Sequence, residues 1–243
     1  MLTVFMFHKV TEPMEGLDDF ENFLIYLKKN YKIVLPGQKV SMFGKYASLT
    51  FDDAYFDFYY CVYPLLKKYD IPSILAVSTN FILDSTTVST KERLKITQSE
   101  AMSNDKYLQA PFCTWQELKE IAESKLVELA SHHHTHASVK VSDFDSDMEI
   151  VYSKSIIQEK TNSKVNTLIY PYGAFDHKAH NVACKHYDYI MRIGSTININ
   201  WKNRNKLIYR VDADNFWKNR KIITIQNRLS WMFKYISNII RNK

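Results

Sequence analysis

SLTFDDAY, residues 48–55, is an apolar, strand-like run that ends on two adjacent carboxylates, Asp52 and Asp53. Leu49, Thr50 and Phe51 read as the end of a buried strand, so the acid pair falls where the chain leaves the core. Successive strand residues point to opposite faces. That predicts one carboxylate holding a metal while its neighbour does something else. Downstream, SHHHTH at 131–136 supplies nitrogen ligands. The four-residue spacing of His132 and His136 suits one metal on a helix turn or on a tight strand-to-loop bend. An imidazole pair plus one carboxylate is the usual set of a catalytic zinc, with a position left for water. Nickel, cobalt or iron would accept the same ligands. His133 and His134 are expected to point away or to assist as donors behind the ligands.

Further apolar, β-rich runs occur at 2–7, 31–35, 47–51, 72–78, 127–131, 166–170, 189–193 and 207–211. Between several of them lie helical patterns. Leu17, Phe20, Leu24 and Leu27 keep helical spacing behind Asp18 and Asp19, which suit a helix N-terminus. Residues 56–70, 115–125 and 146–162 read the same way. Strands alternating with helices imply a parallel sheet, and about eight such units in 243 residues favour a closed α/β barrel over an open doubly wound sheet. His8, Asp52, Asp53, His132 and Tyr172 all follow directly on an apolar run, and chemistry gathers at strand C-terminal ends in such barrels. Residues 80–112 interrupt the pattern. Long and polar, they read as a lid or substrate-shaping insertion, or as a plain surface excursion.

The net charge of +6 is mild and dispersed, and no nucleic-acid motif or basic stripe is present, so nucleic acid is not the expected partner. A slightly basic surface instead suits an anionic small substrate. Three scattered cysteines, Cys61, Cys113 and Cys184, argue against a disulfide framework and fit a reducing compartment. MLTVFMFHKV reads as a strand and not as a signal peptide. No apolar run reaches the ~20 residues of a membrane span. A cytoplasmic location is the expectation.

LTFDDAY, ELASHHHTH and LIYPYGAFD, in this order, resemble the motifs of the polysaccharide deacetylase family, the NodB-like carbohydrate esterases. PLLKKYDIPSILAV and CTWQEL strengthen the similarity, which covers roughly residues 4–212. The resemblance implies a distorted (β/α)7–8 barrel as a single domain over 1–215. It also implies removal of N- or O-acetyl groups from sugars with a divalent metal, zinc being the expected ion. By position it assigns Asp52 as general base, Asp53, His132 and His136 as metal ligands, and the Tyr172 backbone N–H to the oxyanion. Tyr55, Pro171 and Asp212 complete the expected substrate contacts.

The family's commonest pattern has a late Leu-x-His motif supplying the acid, and no histidine follows residue 186. His8 at the end of the first strand takes that place, as in the circularly permuted branch of the family. Ala54 stands where glycine is common after the acid pair. No arginine precedes YPYG, so Arg210 or Arg192 would orient the base. Arg210 is preferred, although a purely structural ion pair is an alternative.

Residues 216–243 form a separate signal. Leu229, Met232, Phe233, Ile236, Ile239 and Ile240 share one helical face, with Arg228, Lys234, Arg241 and Lys243 nearby. A basic amphipathic helix of this kind can lie on an anionic membrane surface. Packing on its own barrel or on a second subunit is the alternative, and the oligomeric state is open. The expected substrate is a nucleotide- or lipid-linked amino sugar carrying an N-acetyl or N-formyl group. A silent carbohydrate-binding protein on the same barrel is the competing reading.

Overall fold

The computed structural model describes residues 1–11, 16–103, 105–202, 206–219, 221 and 223–240. The apolar runs become eight parallel strands: β1 (Leu2–Phe7), β2 (Lys32–Ile33), β3 (Tyr46–Phe51), β4 (Ser73–Val77), β5 (Val127–Ser131), β6 (Thr167–Ile169), β7 (Tyr189–Ile193) and β8 (Leu207–Asp212). Seven of them close a barrel in the order β1-β8-β7-β6-β5-β4-β3, and β1 pairs back onto β3 along its whole length. The short β2 shares the other edge of β3 with β4: it pairs at Tyr46 and Ala47, whereas β4 pairs at Thr50 and Phe51.

The strands read as continuous apolar runs because both faces are buried. Side-chain alternation divides the core in two. Leu2, Val4, Ile74, Ala76, Ala130 and Ile208 belong to an interior cluster that contains no helix residue. Phe5, Phe7, Leu75, Val77, Leu129 and Tyr209 instead pack outward against the helices.

Those helices are α1 (Leu17–Asn30), α2 (Tyr63–Tyr69), α3 (Thr90–Lys95), α4 (Trp115–Glu123), α5 (Ser153–Thr161), α6 (His177–His186), α7 (Asp214–Trp217) and α8 (Ile225–Ile240). α2 and α5 are each entered through a wider π-helical turn, at Phe58–Val62 and Asp147–Tyr152. α6 has no counterpart in the sequence reading, because HKAHNVACKH carries few apolar residues. Its start is set by Asp176, whose carboxylate accepts the Lys178 and Ala179 N–H groups. No described helix is long and apolar enough to cross a membrane.

The 80–112 segment is neither structureless nor loose. α3 opens with a reciprocal Ser89–Glu92 capping box. Buried Arg93 donates to the carbonyls of Ala110 (2.7 Å) and Phe112 (2.9 Å) and forms a two-point ion pair with Glu117. From the barrel, buried Lys9 donates to the carbonyls of Leu94 and Ile96 at 2.9 and 2.6 Å. The insertion is therefore stapled to the rim beside His8.

α8 packs on the barrel through Trp231, whose ring meets Phe5 and Phe216 edge-on. Leu229, Phe233 and Ile236 face outward instead. The side chains of Ile239 and Ile240, and all of Arg241 and Lys243, lie outside the described residues.

Candidate active site

Barrel alternation decides where the first acid goes. Ser48 and Thr50 are the inward-facing polar positions of β3, and Asp52 continues that series just past the strand end. Ile208 and Arg210 are the inward positions of β8. Fully buried Arg210 accordingly reaches across the barrel and donates from its two terminal nitrogens to Asp52 Oδ1 (2.6 Å) and Oδ2 (2.9 Å). The same arginine also donates to Thr50 Oγ1 at 3.0 Å. Burial alone would raise the Asp52 pKa. The Arg210 guanidinium, with the His8 charge, overrides it and holds the carboxyl well below the usual carboxylate range. Arg192, the other candidate, sits over the Phe175 ring instead.

Asp53 corrects the strand-alternation expectation. A strand would send it away from Asp52, yet both acids are buried in one site. The reason is backbone handedness: Asp53 and Ala54 adopt φ of 69° and 52°, so the chain turns sharply and swings the second carboxylate back. Alanine in this left-handed region costs roughly 1 kcal/mol, which gives the physical sense of a glycine at this place. Ala54→Gly is expected to raise stability by up to about that amount in denaturant titration.

The histidine run is also bent by left-handed residues, here His133 (φ 65°) and His136 (φ 60°). Buried Glu149 holds the bend by accepting the His134 and Thr135 N–H groups, both at 2.9 Å. His132 and His136 thereby reach one spot from a loop and not from a helix. His133 and His134 point away. The first meets Phe144 at a tilt and Tyr170 edge-on, and the second meets Thr79 Oγ1 at 2.8 Å.

Three atoms converge. His136 Nε2 lies 3.3 Å and His132 Nε2 3.6 Å from Asp53 Oδ1, and one ligand atom from each residue falls within 4.8 Å of the others. The His132 Nδ1 contact to the Ile169 carbonyl (2.8 Å) requires an N–H there, so its Nε2 carries a lone pair. Burial keeps this imidazole neutral, its pKa pushed well below the ordinary value. Asp53 Oδ1 is buried with no hydrogen-bond donor. Burial raises the Asp53 pKa, and a cation interposed between this carboxylate and the His132 lone pair would stabilise its charged form, so these residues fit a divalent metal. Among the described residues this is the only such cluster.

His8, at the end of β1, turns Nε2 toward Asp52 Oδ2 (3.9 Å) and pairs Nδ1 with Asp214 Oδ2 (3.0 Å). Burial would lower its pKa. The Asp214 hydrogen bond and the charges of Asp52, Asp214 and Asp53 outweigh that and raise it to about 9. Asp214 escaped the sequence reading, which stopped at Asp212. In the structure Asp212 accepts the Asp214 N–H (2.9 Å), and Trp217 Nε1 donates to Asp214 at 3.3 Å. The only sequence signal was a second acid in VDAD.

Tyr172 crowns the Pro171–Gly173 turn with φ of 58°; its exposed phenol meets His136 Nδ1 at 3.1 Å. The turn closes through Gly173 N–H to Tyr170 O and Ala174 N–H to Pro171 O, which leaves the Tyr172 N–H out of its hydrogen bonds. Gly173 is required here: φ is +61°, and a Cβ would come within 2.8 Å of Ile193 Cβ. Pro171 is buried beneath the turn. Tyr55 lines a cleft of about 520 Å³ together with Asp53, His136 and Tyr172, and the 80–112 segment adds Gln98, Ser99 and Met102. Neither Pro171 nor Asp212 lines that cleft.

The family model for polysaccharide deacetylases matches residues 39–189. A stretch of 84 residues is 36% identical to the poly-beta-1,6-N-acetyl-D-glucosamine N-deacetylase of Escherichia coli; it takes in 35% of this chain and 11% of that protein's length. Among solved structures, IcaB from Ammonifex degensii superposes with a TM-score of 0.69 at 18% identity, covering 90% of this chain and 94% of that one. The Streptococcus pyogenes deacetylase PplD, in complex with acetate, gives 0.65 at 19% identity over 95% and 97%. Identities that low speak for a shared barrel. With the family model spanning more than half of the sequence, the chain belongs to the polysaccharide deacetylase family.

Proposed function

We propose that this protein is a metal-dependent hydrolase that removes an N-acyl group, N-acetyl first of all, from an amino sugar. The observation that carries the proposal is the buried, donor-less Asp53 Oδ1 facing the His132 and His136 nitrogens, 3.6 and 3.3 Å away, beside an ionised Asp52. In this reading Asp53, His132 and His136 hold the cation. When bound, a divalent ion would supply polarisation of an acyl carbonyl and a water of pKa about 7, which a carboxylate as weakly basic as Asp52 needs. Asp52, fixed by Arg210, accepts the proton of the attacking water. The Tyr172 N–H donates to the oxygen that becomes negative. His8, protonated at neutral pH, gives its Nε2 proton to the departing amine while Asp214 holds Nδ1.

The sign of the pH dependence follows. His8 must be charged to donate, so activity should fall as pH rises through about 9. Asp214→Asn removes a hydrogen bond and a negative charge that both raise the His8 pKa, and the alkaline limb of kcat/KM should move to lower pH. His8→Ala should lower kcat by about 10²–10⁴-fold. An unchanged alkaline limb in both variants would remove His8 from the mechanism.

The similarity to the poly-beta-1,6-N-acetyl-D-glucosamine N-deacetylase of Escherichia coli supports an N-acetylglucosamine unit. A nucleotide- or lipid-linked amino sugar and a β-1,6-linked oligomer are both compatible with a cleft of this size. The decisive assay loads purified protein with Zn²⁺, Co²⁺ or Ni²⁺ and follows loss of one acyl group by mass spectrometry. The substrates are N-acetyl and N-formyl nucleotide sugars and β-1,6-linked N-acetylglucosamine oligomers. A chelator should abolish turnover and the metal should restore it. Release of acyl groups in metal-free protein would defeat the proposal, and binding of sugar without turnover would establish the silent reading.

A further inference from the structure

We infer that this protein docks on an anionic lipid bilayer through two apolar elements set away from the cleft: the outer stripe of α8 and the tip of the 36–45 loop. The inference stands independently of the proposed reaction, because no residue of either element lines the cleft.

The stripe consists of Ile225, Leu229, Phe233 and Ile236. At 100° per residue these four fall within an arc of about 80°, nearly opposite the barrel-facing Trp231. Helix α8 therefore has an apolar face beyond the one that packs. Ile225 is 76% and Phe233 68% exposed. A helix held only by its own barrel would turn polar residues outward.

The second element is a loop at the N-terminal end of the barrel. The Met1 ammonium donates to the carbonyls of Ser41 (2.8 Å) and Gly44 (2.6 Å), which fixes the loop against the bottom of β1. On it Phe43 is 95% exposed, and Met42 beside it is 58% exposed. Both elements sit beside β1: Trp231 of α8 packs on Phe5 of that strand, and the loop is tied to Met1 just before it.

Charge selects the occupant. Among the described residues after 214, Lys218, Lys221, Arg228 and Lys234 are basic and none is acidic, and residues 36–45 contain Lys39 and Lys45 and no acid. A second copy of the same surface would bring like charges together across the contact. An anionic bilayer offers the opposite charge and an apolar layer for Phe43 and Phe233 at once.

Flotation of the full chain with vesicles tests this directly. Vesicles of phosphatidylcholine with about one third phosphatidylglycerol should capture at least about tenfold more protein than phosphatidylcholine alone, and 0.5 M NaCl should weaken capture. Phe43→Ser and Phe233→Ser should each reduce capture severalfold, and together by about tenfold or more. Both side chains are exposed, so thermal midpoints should stay at the wild-type value and show that the fold is intact. Lys45→Glu should lower capture by anionic vesicles alone. Equal capture by neutral and anionic vesicles, or variants that float like wild type, would overturn the inference. So would a concentration-dependent dimer abolished by Phe233→Ser without vesicle capture, which would assign the stripe to a second copy.

Discussion

Asp52→Asn is expected to bind a divalent cation and to lose at least about 10³-fold in kcat/KM, the range of a missing general base combined with a misoriented water. The amide has the shape of the carboxylate but cannot accept a proton at its nitrogen. The three candidate ligands are other residues, so metal content measured on the purified variant should be retained. A loss of turnover together with loss of metal would instead place Asp52 among the ligands. Turnover close to wild type would end the assignment of Asp52 as the base. The substitution also leaves the buried Arg210 charge facing a neutral group, so a lower thermal midpoint is expected alongside the kinetic loss.

Arg210→Met should show the larger stability effect. Arg210 is fully buried and spans from β8 to the end of β3, with hydrogen bonds to both Asp52 oxygens and to Thr50. Removing one member of a buried pair strands the other charge and costs about 3–5 kcal/mol. For a chain of this size that is a fall of roughly 6–20 °C in Tm. The pH dependence identifies the cause. In the wild type the Asp52 pKa is depressed, so the pair contributes stability above the ordinary carboxylate pKa of about 4 and loses it as pH falls below that. In the variant the buried carboxyl has lost the guanidinium that held its pKa down and protonates more readily. The stability gap between the two proteins should therefore be widest near neutral pH and should shrink as pH falls from about 5 toward 3. A variant as stable as wild type at pH 7 would show that the pair serves orientation alone.

Much of the site could be read locally because its residues sit at strand ends. His8, Asp52, His132 and Arg210 each follow or occupy a run whose apolar character is visible in sequence, and a parallel barrel delivers all such ends to one rim. Asp214 could not be read that way. Its importance comes from standing 206 residues away in sequence and 3.0 Å away in space from His8. Asp53 was identified as a ligand by resemblance, but its direction was misjudged because strand alternation was carried one residue past the strand. The order of the 80–112 insertion could not be read locally because it comes from buried long-range contacts, Lys9 to Leu94 and Ile96, and Arg93 to Glu117.

By itself, then, the sequence determined the alternation of strands with most of the helices, the parallel α/β class and the motifs that carry the candidate ligands. Continuous apolar runs, capping residues and turn prolines act over a few residues and leave a local signature. The tertiary structure alone decided the closure of β1 onto β3 and β8, the left-handed turn that folds Asp53 back beside Asp52, the partner of His8, and the outward face of α8. Each of these depends on which distant backbone or side chain fills the space opposite, and a linear pattern holds no record of that.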